Sequence, residues 1–118
     1  MIVCPPIGLP ALPHGESANV LTAGVYAPLY NVLGYPAGTL PFTRVGEDEQ
    51  RGRGRSIDRV ENAAHRCERD SAGLPVGVHI AGRPWREDQV LAAMFALEEA
   101  VREHDDFPHT PHSPTLPL

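Results

Sequence analysis

Leu29-Tyr-Asn-Val-Leu-Gly-Tyr-Pro-Ala-Gly-Thr-Leu-Pro41 carries a helix end, a breaker turn and the start of a strand in one short run. Leu21, Val25, Leu29 and Leu33 recur at helical spacing and predict a helix that ends here. Pro28 removes one helical hydrogen bond and crowds the carbonyl of Gly24, so that helix should be kinked or interrupted. Gly34-Tyr-Pro-Ala-Gly38 supplies the breakers, and Thr39-Leu-Pro-Phe-Thr43 resumes with extended-type residues.

On the N-terminal side, Ile2-Val3-Cys4 followed by Pro5-Pro6 reads as a short strand stopped by proline, which donates no ladder hydrogen bond. A strand at the initiator position is unlike the polar, loosely held start of most domains, and a truncation or a misplaced start is expected. Ile7 to Ser17 is an irregular connection rich in Pro and Gly.

On the C-terminal side, the charged, glycine-rich run Gly46 to Arg55 predicts a solvated loop. Ile57, Val60, Ala64 and Cys67 lie on one face of a short helix that Ser56 is expected to cap and that Asp70-Ser-Ala-Gly73 ends. Leu74 to Ala81 reads as a buried strand. The last element is a helix from about Glu87 to Glu103, with Val90, Met94, Leu97 and Val101 facing the sheet and Leu91 and Phe95 widening the stripe. Glu87 and Asp88 in its first turn, and Arg102 and His104 at its end, suit the helix dipole.

Strand, helix, strand, helix, strand, helix is an α/β layer pattern in which successive strands cross over through helices. Three such strands form a narrow sheet with two exposed edges. Residues 1–107 are expected to form one unit. Residues 108–118, with Pro108, Pro111, Pro114 and Pro117 and few large apolar groups, form a proline-rich mobile tail.

A formal net charge of −5 argues against nucleic acid or anionic lipid as a partner. No basic lead or long apolar run reads as a signal peptide or a membrane span, so the expected location is the cytoplasm. Cys4 and Cys67 have no CxxC or Cys/His metal spacing and read as reduced thiols. All ten basic side chains are Arg, so any mechanism that needs a lysine is excluded within this chain.

Ser17, Ser56, Ser71 and Ser113 sit in loop or cap contexts and read as structural. His104, His109 and His112 with Asp105 and Asp106 lack a scaffold to preorganise a metal, and neither metal nor cofactor is expected. Arg51-Gly-Arg-Gly-Arg55 resembles RNA-contacting segments but directly follows Glu47-Asp-Glu49 and reads as solvated. Trp85 at the entry of the last helix reads as a packing anchor. His79 could be paired with Asp88 only if it left the buried strand, so it reads as a core histidine.

Three blocks together resemble the amidase-signature family, whose members hydrolyse amides with a Ser–Ser–Lys triad. Val3-Cys-Pro-Pro6, with Ala11 and Gly15 behind it, is similar to a late strand and loop of that family. Leu29 to Pro41 resembles its asparagine-containing helix end and proline-alanine-glycine turn, which places Asn31, Pro36, Gly38 and Pro41 together. Gly73-Leu-Pro-Val-Gly-Val-His-Ile-Ala-Gly-Arg-Pro-Trp-Arg-Glu-Asp-Gln-Val-Leu91 resembles the closing strand-to-helix unit, with Gly73, Pro75 and Trp85 as motif positions and His79 where glutamine is usual. The acidic run at Gly46–Gln50 and the insert helix look most like the fatty-acid-amide-hydrolase branch.

The resemblance implies the C-terminal part of an amidase-signature fold, with short strands of a mixed sheet alternating with helices. It implies that the catalytic lysine and both serines lie in the earlier two-thirds of the fold, so the chain alone should be inactive. It also implies an acyl-chain channel lined in part by Leu21, Gly24, Pro28 and Val60. The expected partner is the missing N-terminal portion, or a second copy, with a small amide substrate only in the full enzyme. A stand-alone, non-catalytic interaction module is the alternative, and a small enzyme built on His79 or His104 lacks an assembled nucleophile and base.

Overall fold

The computed structural model describes residues 1–51, 54 and 56–109. Gly52, Arg53, Arg55 and residues 110–118, which hold most of the expected tail and Ser113, lie outside the described residues.

Three strands, β1 (Ile2–Cys4), β2 (Ala37–Arg44) and β3 (Pro75–Ala81), form one sheet in the order β1-β3-β2. Both ladders are antiparallel, pairing Ile2 with Ala81 and Cys4 with His79 on one side, and Ala37 with Ala81 and Arg44 with Pro75 on the other. β1 and β2 therefore run parallel with β3 inserted between them, joined by a crossover that contains the helix α1 (Tyr26–Leu33). A crossover expected between β2 and β3 is absent. Gly73 N–H donates to the Val45 carbonyl at 2.8 Å and Val45 N–H to the Leu74 carbonyl at 3.0 Å, so residues 46–72 leave and rejoin the sheet at the same end. That return forces an antiparallel pair.

The helix expected over Leu21–Leu33 is split. A 3-10 turn spans Leu21–Gly24, and α1 restarts beyond Val25. An unbroken α-helix would drive the Pro28 ring into the Gly24 carbonyl; the restart puts Pro28 in the first turn of α1, where an N–H would have no partner. Gly34, left-handed at φ 65°, closes α1 through the carbonyls of Asn31 and Tyr30. The inward residue is Tyr30, whereas the predicted core face of Leu21, Val25, Leu29 and Leu33 is exposed.

Helix α2 (Arg59–Glu68) is capped by Asp58, not Ser56. The Asp58 carboxylate accepts from Val60 N–H at 2.7 Å and Glu61 N–H at 3.4 Å. Ser56 stands two residues earlier and accepts the Asp58 N–H at 3.1 Å. Both side chains favour caps, and only the helix start selects between them. Ala63, Ala64 and Cys67 are buried, while Ile57 and Val60 of the predicted face are exposed. With Leu9 and Val20 the three buried residues make a small core beneath the irregular segment. Burial, reinforced by the charge of Glu16, raises the pKa of the Cys67 thiol and keeps it inert.

Arg66 on α2 clamps Glu16 through two bonds of 2.8 and 3.0 Å, and Asn19 adds a third donor. These bonds lower the Glu16 carboxyl from near 4.5 to about 2, the Arg66 bond being the largest cause. A lowered carboxyl stabilises the fold above its unfolded value and loses that contribution as pH falls from about 4.5 toward 2. Thermal midpoints measured across that window should fall more steeply for the native chain than for Glu16→Gln, and the difference should shrink in high salt. Parallel curves would refute the clamp.

Helix α3 (Glu87–Val101) covers one face of the sheet. Val90, Ala93, Met94 and Leu97 pack on Leu40, Val78 and Ile80, the face expected from the periodicity. Leu91 and Phe95 do not widen this stripe; both are exposed. Two glycines let α3 come close. A methyl on Gly38 would overlap the Met94 thioether, and one on Gly82 would lie 2.5 Å from Val90 Cγ2. Met94 is flexible and can move aside, but Val90 is β-branched and enclosed. Gly82→Ala should therefore cost about 1–3 kcal/mol of stability in denaturant titration, and an unchanged midpoint would contradict this packing.

Candidate functional site

Side chains alternate across the sheet, so the face away from α3 carries the cross-strand row Cys4, His79 and Thr39. Tyr30 descends from α1 onto this row. Its ring stacks on His79 with centroids 5.5 Å apart, and its hydroxyl meets Cys4 Sγ at 3.8 Å. The hydrogen bond with Cys4, then burial, raises the Tyr30 pKa. His79 Nδ1 shares a 2.8 Å hydrogen bond with Thr39 Oγ1, and His79 Nε2 is buried without a partner. His79 is thus a core histidine, as its place in the strand predicts.

Beside this row runs an apolar groove of about 680 Å³, walled by Pro5, Pro6, Pro10, Pro41 and Pro75, with Thr39 contributing to its lining. A second cleft, of about 240 Å³, lies between the irregular segment and α2 and is lined by Leu9, Val20, Ala23, Tyr26 and Val60. Of the four channel positions expected from the resemblance, Val60 lines this cleft. Leu21, Gly24 and Pro28 lie on the neighbouring 3-10 turn and α1, with Leu21 and Pro28 exposed and Gly24 half-buried.

The motif positions take backbone roles. The Asn31 carbonyl receives the Gly34 N–H and the Pro36 carbonyl receives the Gly82 N–H. Gly38 admits α3, and Pro41 pairs with Gly77 beside a bulge. Gly73, at φ 79°, brings the chain back to the sheet, and Pro75 opens β3. Trp85 is no packing anchor here: left-handed at φ 63°, just before the helix, it is 88% exposed.

Among the described residues no serine meets a base; the Thr39 hydroxyl does meet His79 Nδ1, but no third group orients that ring, whose Nε2 has no partner. Ser71 is buried and donates to the Glu68 carbonyl at 2.6 Å, Ser56 serves Asp58, and Ser17 lies in an exposed turn. Asp88 is held by Arg86 through two bonds of 2.9 Å, which lower its carboxyl pKa, so it is committed to the surface and not to His79. No three His, Cys, Asp or Glu side chains among the described residues are placed to hold a metal ion. His109 packs edge-on against Phe107, and His112 lies outside the described residues. No described helix is long and apolar enough to cross a membrane. The periodicity reading missed Tyr30 and Thr39; Tyr30 stands one place beyond Leu29 in the apolar run, and its inward direction follows only from the helix restart.

Comparison with known proteins supplies what this arrangement lacks. The Amidase family profile matches residues 1–91. Fatty acid amide hydrolase 1 of Caenorhabditis elegans is 33% identical over 104 residues, covering 86% of this chain and 18% of that protein. Fatty-acid amide hydrolase 1 of Sus scrofa is 34% identical, covering 85% of this chain and 18% of its own length. A shorter likeness, 50% over 32 residues, joins the chain to one subunit of the glutamyl-tRNA(Gln) amidotransferase of Roseobacter denitrificans, over 27% of the chain and 6% of that protein. The chain thus spans less than a fifth of the length of these relatives.

Proposed function

Because this chain belongs to the amidase family, we propose that it is the C-terminal portion of an amide-hydrolysing enzyme of the fatty acid amide hydrolase type. On this reading it acts in the cytoplasm and turns over no amide without the portion that precedes it in such enzymes. The observation that carries the proposal is the chain's coverage of only 18% of the fatty acid amide hydrolases of Caenorhabditis elegans and Sus scrofa, in a sequence without lysine and, among the described residues, without a serine beside a base. A serine hydroxyl attacks an amide only when a base takes its proton. In the resembling family that base is a lysine acting through a second serine, and this chain has no lysine.

What the chain would contribute is a wall. Leu21, Gly24, Pro28 and Val60 are proposed to line part of the channel for the apolar chain of the amide. Val60 already borders a cleft, and the other three stand on the adjoining turn and helix. The test is amide hydrolysis by the chain alone and by the chain joined to a preceding amidase portion. Activity confined to the joined form supports the reading; full activity in the chain alone refutes it.

A further inference from the structure

We propose that the ridge formed by Val25, Leu29 and Val32 on α1, together with the outer edge of β1, docks the preceding portion of an amidase. That portion would cover the ridge with apolar side chains and add a strand to the edge. The identity of the occupant rests on the functional reading above; the location of the surface does not.

Helix α1 reads Tyr-Ala-Pro-Leu-Tyr-Asn-Val-Leu and carries no charge on any side. A helix apolar all round belongs in an interior, yet Tyr30 is its buried residue. Leu29 and Val32 fall on one face with Val25 just before the helix, and Val32 is 84% exposed. The outer ridge of α3 is different in kind. Leu91 and Phe95 there share the helix with Glu87, Asp88, Glu98 and Glu99, the composition of a solvated surface.

The two sheet edges differ in the same way. β2 carries Pro41, a bulge between Pro41 and Thr43, and Arg44, each of which discourages a further strand. β1, Ile-Val-Cys, has none of these, and Ile2 and Val3 are exposed. The Tyr30 contact with Cys4 ties α1 to β1. The length of the relatives supports this occupant, since roughly four-fifths of each fatty acid amide hydrolase lies outside the matched segment.

The test mixes the 118-residue chain with the Caenorhabditis elegans relative lacking its matched segment, reading association by light scattering and amide hydrolysis separately. The native chain should bind and should protect the outward-facing amides of β1 from hydrogen exchange. Val32→Asp, at an exposed position whose thermal melt should be unchanged, should weaken binding by more than about tenfold, and Phe95→Asp should not. Binding indifferent to Val32→Asp, no binding by a folded chain, or a homodimer dissolved by Val32→Asp would each overturn the proposal. A complex on this ridge that hydrolyses nothing supports the docking surface and refutes the functional reading. Hydrolysis in a complex indifferent to Val32→Asp does the reverse.

Discussion

Val90→Asp should lower the stability of the chain by about 3–5 kcal/mol, a large fraction of what a domain of this size has. Val90 is 3% exposed and packs with Leu40 and Ile80, the latter 1% exposed, while its Cγ2 fills the space above Gly82. A carboxylate there leaves water for an apolar pocket, and must be protonated or expel the helix. Leu97→Asp, half-buried on the same face, should destabilise less. Leu91→Asp and Phe95→Asp should fall within about 0.5 kcal/mol of the native chain, since both side chains already meet solvent. Denaturant titration of the four variants reads the helix face directly. If Phe95→Asp unfolds the protein and Val90→Asp does not, α3 is docked by the wrong side.

The second large effect is catalytic. Turnover of an amide by the chain joined to a preceding amidase portion should exceed turnover by the chain alone by more than about 10⁴-fold, the order lost when a hydrolase loses its nucleophile and base. The absence of lysine removes the family's base, and the buried Ser71 hydroxyl donates to a carbonyl instead of facing substrate. Turnover by the purified chain that survives repurification and vanishes on substitution of Ser17, Ser56 or Ser71 would overturn this account.

The legible part of the candidate site was its backbone. Asn31, Pro36, Gly38, Pro41 and Gly73 were picked out together through the resemblance to the amidase-signature family, and each takes a backbone role at a turn, a ladder or a close approach. The row of Cys4, His79 and Thr39 was not legible. It exists because β3 inserts between β1 and β2, and strand order depends on where a long connection returns. His79 was expected in the core, but its partners come from residues 40 and 49 positions away in the chain, Thr39 and Tyr30.

By itself the sequence determined the elements and the face of α3, since alternating burial along a helix leaves a period in the residue types. It also determined the interruption near Pro28, which follows from the geometry of one ring. Tertiary structure alone decided the antiparallel order, the choice of Asp58 over Ser56 as cap, and the exposure of Trp85. It also decided that the stripe of Leu21, Val25, Leu29 and Leu33 is left exposed. Periodicity states that a face is made to be covered, whereas burial depends on a second surface that must come from elsewhere in space, and for α1 none of the described residues provides it.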